Sequence, residues 1–141
     1  MYGALNISTG GMIAQRTRLE VISNNIANVS SLTNAKGEYD PYRRHFTLMS
    51  SGDGSGGLGV SVKEIAIDDA PFEKVFDPEH PYAAKETDPS RDLVKGYVNY
   101  PNVDTTIELM DGYDAQRAYE ANVTAAEASK AMFEAALQLI A

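Results

Sequence analysis

The chain of 141 residues contains no cysteine, no tryptophan and only two histidines. Without cysteine it can form neither a disulfide nor a thiolate metal site, and it has no thiol nucleophile. Acidic residues outnumber basic ones by 20 to 12, for a formal net charge of -8. Nucleic acids and anionic lipid surfaces attract clustered lysine and arginine. We therefore expect no nucleic-acid partner and no direct lipid binding.

Long hydrophobic runs are also missing. Polar residues and glycines interrupt every apolar stretch among the first 30 residues, so no cleavable signal peptide is recognisable. No run of about 18 apolar residues occurs, hence no membrane span is predicted. The 43% of apolar residues still suffices for the core of one small domain. The protein is expected to be cytoplasmic, or to leave by a route that needs no cleaved signal.

The residue types that usually build catalytic and cofactor sites form no convincing constellation here. Gly54, Gly56 and Gly59 have the spacing of a dinucleotide-binding loop, but a strand-like pattern follows where that motif requires a helix. Ser55 in the same loop would need a base, and neither histidine has a convincing acidic partner. Acids in the C-terminal segment spread around the predicted helix without a Glu-x-x-His pattern. We predict no catalytic residues, no cofactor, no metal site and no enzymatic activity.

The N-terminal segment, about residues 2–28, is predicted to form one helix. Apolar residues recur every seven positions, as on the seam of a coiled coil, at Leu5, Met12, Leu19 and Ile26. Gly10 and Gly11 each weaken such a helix by about 1 kcal/mol relative to alanine. The first turns are therefore expected to form only in contact with a partner helix.

A second, longer helix is predicted from Thr105 to about Leu139. Thr105 and Glu108 have the spacing of a capping box, in which both side chains satisfy backbone amides at the helix start. The predicted seam of this helix consists mainly of alanine, at Ala118, Ala121, Ala125, Ala128, Met132, Ala135 and Leu139. Alanine buries little apolar area, so this seam suits a crowded bundle better than a single helix pair. An ordinary bundle or a homodimeric coiled coil also accounts for the pattern.

The middle of the chain has the alternation and the turn residues of short strands. Apolar residues alternate through Phe46 and again from Val60, and the alternation changes parity near Lys63-Glu64, which predicts a β-bulge. The glycine-rich stretch 52–59 is predicted to be a hairpin loop. Further strands are expected near residues 72–76 and 94–100.

The predicted fold class is α+β, with long N- and C-terminal helices that pack as a coiled-coil or bundle element around a small inserted β-rich module. Residues 1–30 form the N-terminal helix in this division. Residues 31–102 form a connecting loop and the β module, including an exposed proline-rich loop at 77–92. Residues 103–141 form the C-terminal helix.

Several segments resemble one protein family. Residues 18–28, RLEVISNNIAN, closely resemble the N-terminal signature of bacterial flagellar rod and hook proteins. Four further segments look like the proximal-rod type of that family: PYRR at 41–44, DPEHP at 77–81, GYVNYPNVD at 96–104 and QRAYEANV at 116–123. The residues that we assign to this assembly motif are Leu19, Ile22, Ser23, Asn24, Asn25, Ile26, Ala27, Asn28, Gly96, Tyr97, Pro101, Asn102, Val103, Asp104, Arg117, Tyr119 and Asn122.

The resemblance implies a structural subunit of the proximal rod of the flagellar basal body. Terminal helices in that family pack as the inner layer of a hollow rod, the drive shaft that transmits torque for motility. The implied partners are other copies of this chain, other rod subunits, the flagellar type III export apparatus, and membrane-ring or export-gate adaptor proteins at the rod base. The implied location is the rod that spans the periplasm, reached without a cleaved signal peptide. Another rod component of the same family, or a soluble coiled-coil adaptor, is the alternative.

The resemblance also suggests roles for individual side chains. The amides of Asn24, Asn25 and Asn28, with Ser23, are expected to cap the end of the first helix, and either to stay within the chain or to bridge neighbouring subunits. Arg117 is expected to pair with Asp114 or Glu120 on its own helix, or with a neighbouring subunit. Both terminal helices are expected to be largely disordered in the free subunit and to order on assembly.

Overall fold

The computed structural model describes residues 2–52, 57–89 and 92–140. The elements in chain order are helix α1 (Tyr2–Ala27), strands β1 (His45–Ser51), β2 (Val60–Ile67), β3 (Glu73–Phe76) and β4 (Tyr97–Tyr100), and helix α2 (Thr105–Ile140). The predicted α+β class is confirmed, with a long helix at each end and a small β module between them. In the described ranges no helix combines the length and the hydropathy that crossing a membrane requires. The predicted loop residues Gly54, Ser55 and Gly56 lie outside the described ranges.

The two helices pack against each other in antiparallel orientation. Gly11 contacts Asn122, while Asn25, two residues before the end of α1, bonds to Glu108 in the first turn of α2. Residues of α1 with increasing numbers therefore lie beside residues of α2 with decreasing numbers. Tyr2 is level with about residue 131, so the last turns of α2 extend beyond the start of α1.

The face of α1 that packs inside the chain is made of small and polar residues as much as apolar ones. Its buried residues are Ser8, Gly11, Ala14, Val21, Ile22 and Asn25. The predicted seam residues Leu5, Met12, Leu19 and Ile26 are only half-buried. The predicted seam therefore lies beside the face that α1 buries.

The predicted alanine seam of α2 does not face α1. Ala121, Ala125, Ala128, Met132 and Ala135 are exposed, whereas Glu108, Ala115 and Ser129 are buried. The prediction is wrong for the packing of α2 on α1 within one chain. The Asn25–Glu108 hydrogen bond and the contact of Gly11 with Asn122 place a different row of residues against α1, about a quarter of a turn from the alanine row. The side chain of Leu139 lies outside the described part of the structure.

Asp104, and not Thr105, caps the start of α2. The Oδ1 atom of Asp104 accepts hydrogen bonds from the backbone N–H groups of Thr106 (2.8 Å) and Ile107 (3.3 Å). The predicted capping box is wrong, because the carboxylate of Glu108 turns inward and binds Asn25 and Arg44. Asp104 supplies the same kind of N-cap one residue earlier.

Strands β1 and β2 form an antiparallel hairpin that lies along α1. Leu48 is opposite Glu64 and Met49 is opposite Val62, which leaves Lys63 as the extra residue of a bulge, as predicted. The Gly52 N–H donates to the Gly59 carbonyl oxygen at 2.7 Å and closes the described part of the loop. The hairpin approaches α1 closely at Gly10, where an added Cβ would lie 3.1 Å from the Val60 carbonyl oxygen.

Strands β3 and β4 form a second two-stranded antiparallel sheet, with Glu73 opposite Tyr100 and Phe76 opposite Tyr97. Both strands lie in the regions predicted from the sequence. The described residues of the segment between them are mostly exposed and include turns and an isolated bridge between Asp88 and Leu93. The β module is thus two small sheets rather than one.

Candidate functional site in the helix pair

Asn25 occupies the junction of α1, α2 and β1, and its side chain is completely buried. Its Nδ2 donates to the His45 carbonyl oxygen (2.7 Å) and to Glu108 Oε2 (3.0 Å). Its Oδ1 accepts from the His45 N–H (3.0 Å) and from the Tyr42 hydroxyl (2.9 Å). A carboxamide has two donor hydrogens and two acceptor lone pairs, so every bonding position is used. Asn25 therefore joins three elements of one chain and does not cap α1.

Glu108 is the buried charge of this junction, with its side chain 0% exposed. Arg44 Nε donates to Glu108 Oε1 at 2.6 Å, and the same guanidinium lies 3.5 Å from Asp111 and 3.7 Å from Asp68. Arg18 donates to the other oxygen of Asp111 at 3.0 Å. Two guanidinium groups thus neutralise most of the charge of three carboxylates. We call Arg18, Asn25, Tyr42, Arg44, His45, Asp68, Glu108 and Asp111 the polar core.

The hydroxyl of Tyr42 connects Asn25 to His45. Because both amide hydrogens of Asn25 are engaged, its Oδ1 needs donors, and the Tyr42 hydroxyl supplies one. His45 Nδ1 lies 2.8 Å from the Tyr42 oxygen and must therefore donate to it. Burial raises the pKa of Tyr42, and the negative charge of Glu108 raises it further. The phenol stays neutral and keeps its role as donor.

The segment before α2 fastens the base of the β1–β2 hairpin. Asn102 Oδ1 accepts from the Arg44 N–H at 2.9 Å, and its Nδ2 donates to the carbonyl oxygens of Asp68 (3.3 Å) and Ala70 (3.4 Å). Pro101 and Val103, on either side of Asn102, are buried. The predicted residues 101–104 thus hold the hairpin base and cap α2 within one chain.

Gly96 and Tyr97 shape the entry into β4. Gly96 has φ +80°, where other residues are strained, and an added Cβ would lie 3.0 Å from the ring of Phe76. The Tyr97 ring meets Phe76 edge-on, with ring centroids 5.1 Å apart. The Tyr39 hydroxyl donates to the Asn99 carbonyl oxygen (3.0 Å) and accepts from the Asn99 N–H (2.9 Å), and burial raises the pKa of Tyr39.

The end of α1 is capped by one of the predicted amides. Asn28 Nδ2 donates to the Asn24 carbonyl oxygen at 2.9 Å, and Asn28 Oδ1 accepts from the Ser31 hydroxyl. The predicted cap is confirmed for Asn28 and is wrong for Asn25, whose amide is fully used by the polar core. The side chains of Ser23 and Asn24 point outward and are exposed, as is Ala27.

The predicted residues of α2 divide between its two sides. Asn122 Nδ2 donates to the Ala118 carbonyl oxygen at 2.7 Å, which holds its amide against Gly11, and Tyr119 is half-buried nearby. Arg117 is exposed, and within the described ranges no ion pair joins it to Asp114 or Glu120. The local pairing is wrong, because Glu120 instead accepts from the side chain of Gln116 at 3.0 Å.

Sequence reasoning missed most of the polar core. Arg18, Tyr42 and Arg44 lie within the matched motifs but are not among the predicted assembly residues, and Glu108 is predicted only as part of a capping box. A usable signal was present: Glu108, Ala115, Asn122 and Ser129 recur at seven-residue spacing on one helix face. A charged residue that shares the buried face of a helix with small residues is expected to be buried and paired with an opposite charge.

The polar core borders a cleft of about 240 Å³ between the helices and β1. The arginines and carboxylates that line it are bonded to one another, so the cleft offers a ligand no unpaired charge. Among the described residues no group of three or more histidine, aspartate or glutamate side chains is arranged to hold a metal ion. The chemistry of the site is that of a structural clamp.

The outer side of α2 is unusually apolar for an exposed helix. Large side chains are more than half exposed at Ile107, Met110 and Met132, on the same side as the exposed alanines of the predicted seam, and at Leu109, Tyr113 and Leu137 elsewhere on the helix. We call Ile107, Met110, Ala121, Ala125, Ala128, Met132 and Ala135 the outer face of α2. Apolar residues that are exposed together on one side of a helix mark a candidate interaction site.

Both helical parts of the chain match known families. Residues 5–36 match the family model described as flagella basal body rod protein, and residues 94–139 match the one described as flagellar basal body rod FlgEFG protein C-terminal. The first match contains Asn25 and the second contains Glu108.

Over nearly its whole length the chain is similar to proteins named flagellar basal-body rod protein FlgC. The relative from Bacillus subtilis is 39% identical, over 98% of this chain and 97% of that protein. The relative from Borreliella burgdorferi is 37% identical, over 99% and 97% respectively. The relative from Aquifex aeolicus is 33% identical, over 95% and 92%. The chain therefore belongs to the FlgC family of flagellar basal-body rod proteins.

Proposed function

We propose that this protein is a non-enzymatic subunit of the proximal rod, which polymerises through its terminal helices into the hollow shaft that transmits torque for motility. The observation behind this proposal is the exposed, apolar outer face of α2. The polar core pairs the charged groups inside the subunit, so the outer face is a part of the helix pair that is left without contacts in the described ranges. Small residues allow neighbouring helices to approach closely, and several neighbours together supply the apolar contacts that one helix pair lacks.

The subunit itself acts as a rigid unit in this proposal. Arg44 and Asn25 tie the hairpin to both helices at one end, so load on the β module is transferred to the helix pair through partly buried hydrogen bonds. Asn25, Asn102 and Asp104 serve this internal role. The exposed Ser23, Asn24 and Arg117 are the motif residues that remain available for contacts with neighbouring subunits.

The proposed partners are other copies of the chain, other rod subunits, and the ring or export-gate adaptor proteins at the rod base. The proposed route is export through the flagellar type III apparatus without a cleaved signal, to a rod that spans the periplasm. Export is tested by detecting the full-length chain in the medium of a host whose rod assembly is blocked, and by its absence when the export apparatus is inactivated. Retention of the chain in the cells in both cases would contradict the route.

The assembly is tested by deleting the gene in its native host, complementing it, and imaging isolated basal bodies by electron microscopy. We expect membrane rings without rod, hook or filament in the deletion strain, and complete basal bodies after complementation. Ala128→Glu places a charge on the outer face of α2 and is expected to abolish rods. Ala35→Glu makes the same change at an exposed loop position and is the matched control.

The soluble coiled-coil adaptor remains the alternative and makes a different prediction. An adaptor needs no rod, so basal bodies would be complete in the deletion strain and unaffected by Ala128→Glu. Complete, motile flagella in both strains would therefore overturn the proposed function.

A further inference from the structure

Strand β1 has one hydrogen-bonded edge, towards β2, and one free edge. Just outside the two ends of β1, the Asp68 N–H donates to the Arg44 carbonyl oxygen at 2.8 Å, and the Gly52 N–H donates to the Gly59 carbonyl oxygen at 2.7 Å. In an antiparallel ladder every second residue turns its N–H and C=O groups away from the paired strand. On β1 these are the odd-numbered residues, His45, Thr47, Met49 and Ser51.

The side chain of Asn25 covers the first position of this free edge. Its Nδ2 donates to the His45 carbonyl oxygen at 2.7 Å, and its Oδ1 accepts from the His45 N–H at 3.0 Å. A neighbouring strand would make the same pair of bonds with its own backbone. The carboxamide of Asn25 therefore takes the place of a peptide group of an additional strand.

The free edge stays open beyond His45. Within the described ranges no hydrogen bond engages the outward backbone groups of Thr47 and Met49. Proteins usually protect a free edge with charged residues, a proline, a bulge or a covering element. The bulge at Lys63 protects β2 in this way, whereas β1, with the sequence HFTLMSS, contains no lysine, arginine, acid or proline.

The cleft of about 240 Å³ lies beside this open part of the edge. It is lined by Thr47 and Met49, by the apolar Val21 and Ile22 of α1, and by residues of the polar core. Both β1 and α2 are described throughout, and no Cα atom of one lies within 8 Å of a Cα atom of the other. That separation leaves room for a strand at the usual spacing of ~4.8 Å from β1. The cleft is smaller than typical small-molecule pockets, so it suits a short extended segment better than a cofactor.

Charge indicates which kind of segment fits. The polar core contains three carboxylates and two guanidinium groups, so it keeps one negative charge in excess. The carboxylate of Asp111 lines the cleft and is 35% exposed. The whole chain has a net charge of -8, which repels acidic segments and attracts basic ones. Charge complementarity therefore favours a segment of a different chain that carries lysine or arginine.

We propose that a basic, extended segment of another protein adds to the free edge of β1 as an extra strand. Its backbone continues the pairing that Asn25 begins and bonds to Thr47 and Met49. Alternate side chains of the segment face α1, and a lysine or arginine lies near Asp111. This binding uses the edge of β1 and is separate from the proposed polymerisation through the terminal helices.

The first test measures binding of a fluorescent peptide, Thr-Val-Thr-Val-Arg-Val-Thr, to the purified full-length chain by fluorescence anisotropy. Its β-branched residues favour an extended backbone. A second peptide with the same side chains is N-methylated at its central amides and cannot donate to β1, so we expect binding to weaken about tenfold or more. A third peptide has glutamate in place of arginine and should also bind more weakly, with a difference that shrinks in high salt.

Proline substitutions locate the site on the protein. Thr47→Pro removes an outward N–H without touching the ladder to β2, since an edge strand tolerates proline where its N–H points outward. Ile65→Pro makes the same change on the outer edge of β2, directly opposite Thr47, and is the matched control. We expect binding to weaken about tenfold in Thr47→Pro and to stay unchanged in Ile65→Pro. Thr47→Ala keeps the N–H and should bind normally. Circular dichroism checks that each variant folds, and the peptide comparison on the unaltered chain decides the matter if Thr47→Pro does not.

The outcomes separate this inference from its alternatives. Binding that needs the peptide amides, and that Thr47→Pro alone weakens, supports strand addition. Equal binding of the N-methylated peptide, equal effects of the two proline variants, or no binding of the first peptide overturns it. Self-association of the chain that only Thr47→Pro abolishes would give the edge to a second copy and overturn the assignment to a different protein. Rods that assemble from Thr47→Pro chains would leave the proposed function standing in every case.

Discussion

Replacement of Gly11 by alanine should destabilise the subunit, although the same change stabilises most helices. A Cβ at Gly11 would lie 2.5 Å from Oδ1, 2.7 Å from Cγ and 2.9 Å from Nδ2 of Asn122. The whole terminal amide blocks the position, and turning it away breaks its 2.7 Å bond to the Ala118 carbonyl oxygen. Alanine gains about 1 kcal/mol of helix propensity, whereas overpacking costs about 1–3 kcal/mol. Together with the lost hydrogen bond, we expect a net loss of about 1–2 kcal/mol.

The assay is urea unfolding of the purified chain followed by circular dichroism. Gly3→Ala is the matched control, because an added Cβ there meets nothing within 4 Å, and it should stabilise the chain or leave it unchanged. Asn122→Ala removes the obstacle, so Gly11→Ala should be much less harmful in that background. Equal effects at Gly3 and Gly11, or the same loss with and without Asn122, would refute the reasoning.

Three further predictions follow from the buried groups. Asn25→Ala should lower the free energy of unfolding by about 2–4 kcal/mol, because it leaves Glu108 and the His45 backbone short of hydrogen-bond partners. Asn24→Ala, in the exposed neighbouring residue, should change the free energy of unfolding little. Equal effects of the two substitutions would show that the network is not formed. Folding raises the pKa of Tyr39 and Tyr42 above 10.0. Their contribution to stability is therefore complete below pH 10 and is lost as the pH rises through the raised values. Urea unfolding at several pH values measures this, and a free energy of unfolding that stays flat or increases through this range would contradict both assignments. Hydrogen exchange of the dilute chain should be slow for the amides beside the polar core and fast for the outer ends of both helices. Fast exchange throughout would instead support the largely disordered free helices that the sequence predicts.

The elements were predictable because their signals are local. Heptad spacing, the lack of proline after residue 101 and the parity change at Lys63 each depend on neighbours in sequence, and the helices, the strands and the bulge appear where these signals place them. The first helix ends at Ala27, within one residue of the prediction. Local patterns do not show which strands pair. The structure shows that β3 and β4 pair with each other and form a second sheet, separate from that of β1 and β2.

The polar core was not predictable from the same signals, because it depends on residues far apart in the chain. Asn25 meets Glu108 across 83 positions, and Arg44 meets Glu108 across 64. The local pattern predicts a capping box at Glu108, because this residue follows Thr105 by three positions at a helix start. Its burial becomes apparent only when Arg44 and Asn25 are brought alongside it by the fold.

The rotation of α2 was mispredicted for a related reason. The spacing of the alanine row predicts a seam, but Gly11 and the amide of Asn122 set the face that packs against α1. The alanine row is consequently exposed, which is what a subunit with several neighbours requires.

The most direct test of the account is a cryo-electron microscopy reconstruction of the polymerised chain at side-chain resolution. The account predicts that Ala121, Ala125, Ala128 and Met132 are buried between subunits, while Asn25 and Glu108 bond to each other within one subunit. A polymer in which the outer face of α2 lies open to solvent, or in which Asn25 bonds across the subunit boundary, would contradict it.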